Sequence, residues 1–214
     1  LNQMLEVTTK PFIFDADTGG RVEHVEFTLK TIERLGVSAA IVEDKTGLKR
    51  NSLYGTAVRQ EQLDPLEFGE KLRAGRDFVF SEDFMLIARI ESLIAGEGIE
   101  SALNRAMIYL EAGADGIMIH SSKSDTTEIE QFARSYATFS AGQPLVVVPT
   151  AFSHMAEDDL AEWGVDLVIY ANHLIRAAYP AMLAAADRIL RDGKAEFLET
   201  SLAPVSDILN LVDG

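Results

Sequence analysis

The apolar positions of this chain fall into six short, almost unbroken runs. They are PFIFDAD (11–17), SAAIVED (38–44), DFMLIAR (83–89), DGIMIHS (115–121), PLVVVPT (144–150) and DLVIYAN (166–172). Val, Ile, Leu and Phe without polar alternation suit parallel strands buried on both faces. Between the runs the period changes to that of amphipathic helices, as in HVEFTLKTIERLG, GIESALNRAMIYLEAGA and HLIRAAYPAMLAAADRIL, and several of these segments stop at Gly or Ala-Gly. Strand and helix in alternation predict a right-handed βαβ series and an α/β fold.

The ends of the runs narrow the architecture. In order they finish in Asp-Ala-Asp, Glu-Asp, Arg, His-Ser, Pro-Thr and Ala-Asn-His. In a closed (β/α)8 barrel every carboxyl end opens onto one face, where catalytic groups gather. A doubly wound sheet places ligands only around its switch point. Polar residues at all six ends therefore predict a TIM-type barrel, with a six-unit doubly wound sheet as the alternative. A barrel needs eight units, so about two βα units are expected to lie before the given chain. Its opening, LNQMLEVTT, reads as the end of a helix feeding the first visible strand. No stretch rich in Pro, Gly or Ser divides the sequence, so residues 1–214 are expected to form one barrel domain, incomplete at its N-terminus.

Composition removes several functional classes. A net charge of −15 argues against a nucleic-acid partner, because phosphate binding draws on clustered Lys and Arg. The absence of cysteine excludes disulfides, thiolate metal sites and cysteine nucleophiles. No apolar run approaches the ~20 residues of a membrane helix, and the opening residues lack the pattern of a secretory signal. A cytoplasmic location is the plain expectation. A small anion, held through a metal and a few local bases, stays compatible with the charge.

Asp15 and Asp17 sit two apart at the end of the first run, and Glu43 ends the second. Carboxylates without Cys or His nearby suit a hard cation that keeps several waters, and Mg²⁺ is the expected cofactor. The same residues also suit plainer work: Asp17 can cap the turn at DTGG, and Glu43 can pair with a strand-end arginine. Arg89 ends the third run; it is either an anion clamp, since guanidinium matches carboxylate and phosphoryl oxygens in a fork, or an ion-pair partner of Glu91 or Asp17. His120, at the end of the fourth run, is a candidate substrate contact. Asn172 and His173 close the sixth run and suit backbone fixing or support of the site, while His24 and His154 are expected to be exposed.

From Asp44 to about Pro65 no periodicity is visible, although Gly47 and Gly55 supply flexible points. Structureless connections beyond about 12–15 residues are usually lids, binding loops or disordered. This one carries Lys45, Lys49, Arg50 and Arg59 in an otherwise acidic chain. A basic lid over carboxylates and Mg²⁺ implies a substrate with several negative oxygens.

The motifs DADTGG, EDKTGLKRNSL, IARIESLIAGEG, AGADGIMIHS, VVVPT and IYANHLIRAAYPAM run in order over nearly the whole chain. In them the sequence resembles the isocitrate lyase and phosphoenolpyruvate mutase superfamily, and within it the phosphoenolpyruvate mutase family of bacterial phosphonate biosynthesis. That resemblance implies a (β/α)8 barrel with its eighth helix swapped between the subunits of a homo-oligomer. It implies an isomerase that interconverts phosphoenolpyruvate and phosphonopyruvate by Mg²⁺-dependent intramolecular phosphoryl transfer. It further implies that Asp15 binds the metal directly, that Asp17 and Glu43 hold metal-bound waters, and that Asp17 also lies against substrate. Arg89 and His120 match the substrate-contacting pair, and Lys49, Asn51 and Ser52 match functional positions of a gating loop. The family's Ser-Gly-Leu phosphate-binding turn and a further catalytic Asp would lie upstream of this chain.

The lack of cysteine separates the chain from the superfamily's carbon–carbon lyases, which resemble one another in a loop cysteine. Phosphonopyruvate hydrolase, yielding pyruvate and phosphate, is the nearer alternative; it is similar in almost every motif but has Thr at the position of Asn51. An amide rather than a hydroxyl beside water should favour transfer over hydrolysis, so Asn51 points to the mutase. A non-catalytic barrel domain of a larger fused protein is the third reading.

Overall fold

The computed structural model describes residues 1–46, 52, 59–79 and 81–211. The elements run α1 (Asn2–Glu6), β1 (Ile13–Asp15), α2 (Val22–Arg34), β2 (Ala39–Glu43), α3 (Pro65–Asp77), β3 (Met85–Ile90), α4 (Ser92–Ala95), α5 (Gly98–Glu111), β4 (Gly116–Ile119), α6 (Thr127–Tyr136), β5 (Leu145–Val147), α7 (Glu157–Glu162), β6 (Leu167–Val168), α8 (His173–Asp192), a 3-10 turn (Glu196–Leu198) and α9 (Val205–Leu209). Two compact units result, Leu1–Ile169 and Tyr170–Gly214. No helix among the described residues is long and apolar enough to cross a membrane.

All six strands belong to the first unit and form one parallel sheet in the order β1-β2-β3-β4-β5-β6. Spatial order follows chain order without reversal, so the sheet has no switch point and the doubly wound alternative is not what forms. Each strand is joined to the next through helix, as the change of hydrophobic period predicts. The register sets Asp15 beside Ile41, Glu43 beside Arg89, and Arg89 beside Met118.

Alternation divides every strand between two environments. Ala40, Val42, Leu86, Ala88, Ile117 and Val147 join the helix-covered core. Into that core α2 sends Val25, Leu29 and Ile32, α5 sends Ala102, Ala106 and Tyr109, and α6 sends Ile129, Phe132 and Tyr136. These are positions three or four apart, the buried stripe of an amphipathic helix. The opposite set, Ala39, Ile41, Glu43, Ile87, Arg89 and Met118, is also buried but lies outside that core. Polar groups on this second face occur only toward the carboxyl ends. At the start of β4 a Cβ on Gly116 would lie 2.9 Å from the Pro144 carbonyl, so no larger residue fits between β4 and β5.

The connection between β2 and α3 has an ordered stem. Lys45 bridges Gln62 in antiparallel fashion, the Thr46 amide donates to Glu61 O (2.8 Å), and the Leu63 amide donates to Asp44 O (2.8 Å). Asp64 then caps α3, accepting from Leu66 N (2.9 Å) and Glu67 N (3.3 Å), with Pro65 at the first helical position.

The sixth run differs from expectation. β6 stops at Val168, and Asn172 and His173 do not close a strand: Asn172 is the N-cap of α8 at φ 57, and His173 is the helix's first residue. Asn tolerates the left-handed region better than most residues, and its carbonyl accepts the Arg176 amide at 3.0 Å. In this second unit α8 has no buried residue, and Leu174, Ile175, Tyr179, Met182 and Leu183 are all exposed.

Candidate active site

At the carboxyl end of β3, Arg89 is the centre of a buried polar cluster. Its Nε donates to Glu91 Oε1 (2.5 Å) and its NH2 to Ser52 Oγ (2.8 Å) and His120 Nδ1 (2.8 Å). The same NH2 lies 3.6 Å from Glu43 Oε2, which the β2–β3 register places beside it. Ser52 donates to Glu91 Oε2 at 2.6 Å and accepts from Lys45 Nζ at 2.8 Å. Lys45 Nζ also lies 3.2 Å from Glu91 Oε2 and 3.7 Å from Glu43 Oε1. Among the described residues, no hydrogen bond is made to NH1 of Arg89.

These contacts set the protonation states. Burial by itself would raise the Glu91 pKa, but the hydrogen bond from His120 and the charges of Arg89, His120 and Lys45 outweigh it, holding the carboxyl well below the usual carboxylate range. For Arg89 burial again opposes the charge, and Glu91 and Glu43 overcome it, with Asp15 contributing. Burial lowers the His120 pKa, against the pull of Glu91. Nδ1 of His120 lies against both Arg89 NH2 (2.8 Å), which can only donate, and Glu91 Oε1 (3.2 Å), which can only accept.

The carboxylates at the β1 and β2 ends complete the arrangement. Asp15 is exposed, and its Oδ1 accepts from the Asp17 amide at 2.9 Å. Asp17 lies in the left-handed region (φ 58); its Oδ1 accepts from Thr18 N (2.9 Å) and its carbonyl from Glu43 N (2.8 Å). One backbone contact thus ties the β1 turn to the end of β2. Both plainer roles foreseen for these acids are present too, since Asp17 does bind its own turn and Glu43 does face Arg89.

The donor set fits Mg²⁺ by its chemistry. Every candidate ligand is a carboxylate oxygen, and no three His, Asp or Glu side chains among the described residues converge to cage a metal. An ion bound through one or two carboxylates and several waters is the habit of Mg²⁺. Lys45 and Arg89 are ion-paired with Glu43 and Glu91 beside these acids.

Of the loop positions singled out in the sequence, Lys49, Arg50 and Asn51 lie outside the described residues, as do Gly47 and Gly55, whereas Ser52 sits in the cluster just described. Lys45, grouped above with the basic lid, is instead buried among the strand-end acids, and Arg59 is exposed and paired with Glu61 at 2.7 Å. His24 and His154 are exposed. Sequence reading noticed Glu91 only as an ion-pair partner, though it bridges Arg89, His120, Ser52 and Lys45. It missed a second buried network altogether. Asp44 accepts from Tyr109 Oη (2.7 Å), Gln62 Nε2 (2.8 Å), Glu91 N (3.0 Å) and Arg105 NH1 (3.2 Å). Arg105 also donates to Leu63 O at 2.9 Å, so this network grips both ends of the stem. The signal for it was an Arg and a Tyr four apart on one helix face, which alone does not name a distant acid.

The profile of the phosphoenolpyruvate phosphomutase family matches residues 1–190. The phosphoenolpyruvate phosphomutase of Tetrahymena pyriformis is 37% identical over 212 residues, covering 99% of this chain and 69% of that protein. The phosphonopyruvate hydrolase of Variovorax sp. (strain Pal2) is 41% identical over 203 residues, covering 94% and 69%. Among solved structures, phosphoenolpyruvate phosphomutase from Streptomyces platensis subsp. rosaceus superimposes with a TM-score of 0.92 at 34% identity, over 98% of this chain and 72% of that one. A phosphonopyruvate hydrolase complex with oxalate and Mg²⁺ does so with 0.86 at 37% identity, over 98% and 71%. Parallel strands ending in carboxylates, an arginine and a histidine are thus the frame of an α/β enzyme that handles a small anion. The chain belongs to the phosphoenolpyruvate phosphomutase family.

Proposed function

We propose that this chain is an isomerase that interconverts phosphoenolpyruvate and phosphonopyruvate. In the forward direction the bond from phosphorus to the enol oxygen breaks and a bond from phosphorus to C3 forms, with no change in overall composition. The observation that carries this reading is the buried Arg89–Glu91–His120–Ser52–Lys45 cluster beside Glu43, in a chain of this family. NH1 of Arg89 and the His120 ring would meet the carboxylate and enolate oxygens of a pyruvyl group. Glu91 holds the guanidinium in place, so it needs no rearrangement as charge develops, and such positioning dominates phosphoryl transfer. Asp15, with Asp17 and Glu43 through water, would hold Mg²⁺, which when bound supplies positive charge against the enolate oxygen.

Support for the metal comes from the oxygen-only donor set and from the Mg²⁺ in the hydrolase complex. The reading of the six strands as part of an eight-unit barrel draws on their unbroken order and on relatives that are longer than this chain. The exposed apolar residues of α8 support a homo-oligomer that shares this helix.

Phosphonopyruvate hydrolase is the second reading, favoured by the 41% identity to the Variovorax protein. Asn51 speaks for the mutase. The test is to follow ³¹P signals of the protein with phosphonopyruvate and Mg²⁺. Phosphoenolpyruvate as product supports the isomerase; inorganic phosphate with pyruvate, and no phosphoenolpyruvate, overturns it.

A further inference from the structure

We propose that Lys71 is a tethered cation that shapes the turn carrying Asp15 and Asp17, and is thereby a positioning residue for metal binding. Its link to the metal rests on the function proposed above; its hold on the turn does not.

Lys71 lies midway along α3, where a lysine normally reaches solvent, yet its side chain is only 2% exposed. Its Nζ donates to the carbonyls of Thr18 and Gly20. Among the described residues it forms no salt bridge, and the acid that weighs on it is Glu67, one turn back on the same helix. Burial lowers the ammonium's pKa, which measures the cost of placing it there. A lysine kept in such a place without a carboxylate in contact is spent on the two carbonyls.

The turn is bent to meet it. Asp17, Gly19 and Gly20 all have positive φ (58, 70 and 76), and the carbonyls on either side of Gly19 are directed at Nζ. Gly19 has no room for a side chain, since a Cβ there would lie 3.0 Å from Val42 Cγ1 and 3.1 Å from Val25 Cγ2. Thr18 is half-buried and Gly20 exposed, so the two carbonyls reach inward to Nζ from the edge of the turn. One ammonium satisfies both and fixes the turn against α3, just as a bound monovalent cation would. The Asp17 carbonyl then receives the Glu43 amide, and Asp15 Oδ1 the Asp17 amide. The carboxylates are thus placed before any metal arrives.

The test uses Lys71→Met, which keeps much of the bulk and removes the donor. In metal-free protein, hydrogen exchange at the Gly19 and Glu43 amides should quicken while core amides of β3 and β4 do not. Calorimetric Mg²⁺ affinity should fall about 10–100-fold, the usual effect of losing a group that orients metal ligands. Lys71→Ala should lose affinity likewise and regain it in ammonium chloride but not in tetramethylammonium chloride of equal ionic strength. Unchanged exchange at Gly19 and Glu43 in Lys71→Met overturns the proposal. So does a Lys71→Ala protein that ammonium does not restore, including one that stays unfolded in it. Should the wild-type protein bind no Mg²⁺ and convert no phosphonopyruvate, the proposed function fails, and the metal-free exchange still decides the role of Lys71.

Discussion

Glu91→Gln isolates the electrostatics of the site, because it removes one charge and almost no volume. In the wild-type protein the carboxylate lies 2.5 Å from Arg89 Nε and 3.2 Å from Lys45 Nζ, and it accepts the Ser52 hydroxyl at 2.6 Å. A unit pair at about 4 Å is worth ~4 kcal/mol at an effective dielectric near 20, and removing one partner of a buried pair costs about 3–5 kcal/mol. The expected loss is therefore about 4 kcal/mol, a large share of the roughly 5–15 kcal/mol of a typical domain. In urea, with a slope on the order of 2 kcal/mol per molar, the midpoint should drop by ~2 M. The pH dependence fixes the cause. The folded pKa of Glu91 is depressed, so its stabilisation is fully present above the ordinary carboxylate value of about 4.3 and is lost as pH falls toward the folded pKa. The gap between wild type and Glu91→Gln should hold steady from pH 5 upward and narrow only in stronger acid. A gap below ~1 kcal/mol at pH 7 would refute the central place given to this carboxylate. So would a gap that widened steadily between pH 5 and pH 8.

The remaining predictions are narrower. Asp15→Asn, at an exposed strand end, should change stability by less than ~0.5 kcal/mol in denaturant yet abolish calorimetric Mg²⁺ binding and turnover; full activity at the same Mg²⁺ concentration would sink the metal assignment. Asn51→Thr should raise the inorganic phosphate share among ³¹P-detected products, and an unchanged ratio would count against the amide's role. Tyr109→Phe leaves Asp44 and Arg105 each short of a buried partner, at a cost of ~2 kcal/mol and a melting temperature lower by about 5 °C. A shift within error would mean the two groups re-pair without the phenol.

The parts legible in the sequence share a physical reason. Strands buried on both faces leave unbroken apolar runs, and a polar residue closing such a run stands out; Glu43, Arg89 and His120 were found that way, and the structure gathers them at one end of the sheet. Contacts between distant residues leave no local trace. Lys71 reads as a solvated helix position because the carbonyls it serves lie 51 and 53 residues earlier. Lys45 reads as one more base in a polar stretch, and only the stem turns it inward onto Glu91. Asp44 is nearly indistinguishable from Glu43 beside it, yet strand alternation sends the two carboxylates to different partners, one to Arg89 and the other to Arg105 and Tyr109. The sixth run overstated its strand because Ile, Tyr and Ala carry the apolar pattern past Val168.

The antiparallel stem at Lys45 and Gln62 has an evolutionary corollary. Entry and exit of the intervening chain are riveted to one spot by Asp44, Arg105 and Tyr109, none of which belongs to that intervening chain. Closing a loop costs only slowly more as it lengthens, and here both ends are already fixed. The segment between them carries Ser52 into the Arg89 cluster, so its length can change between fixed ends while the Ser52 contacts have to be kept. A lineage can then explore new reactions on an unchanged pyruvyl-binding floor, and divergence between transfer and hydrolysis needs no redesign of the sheet beneath.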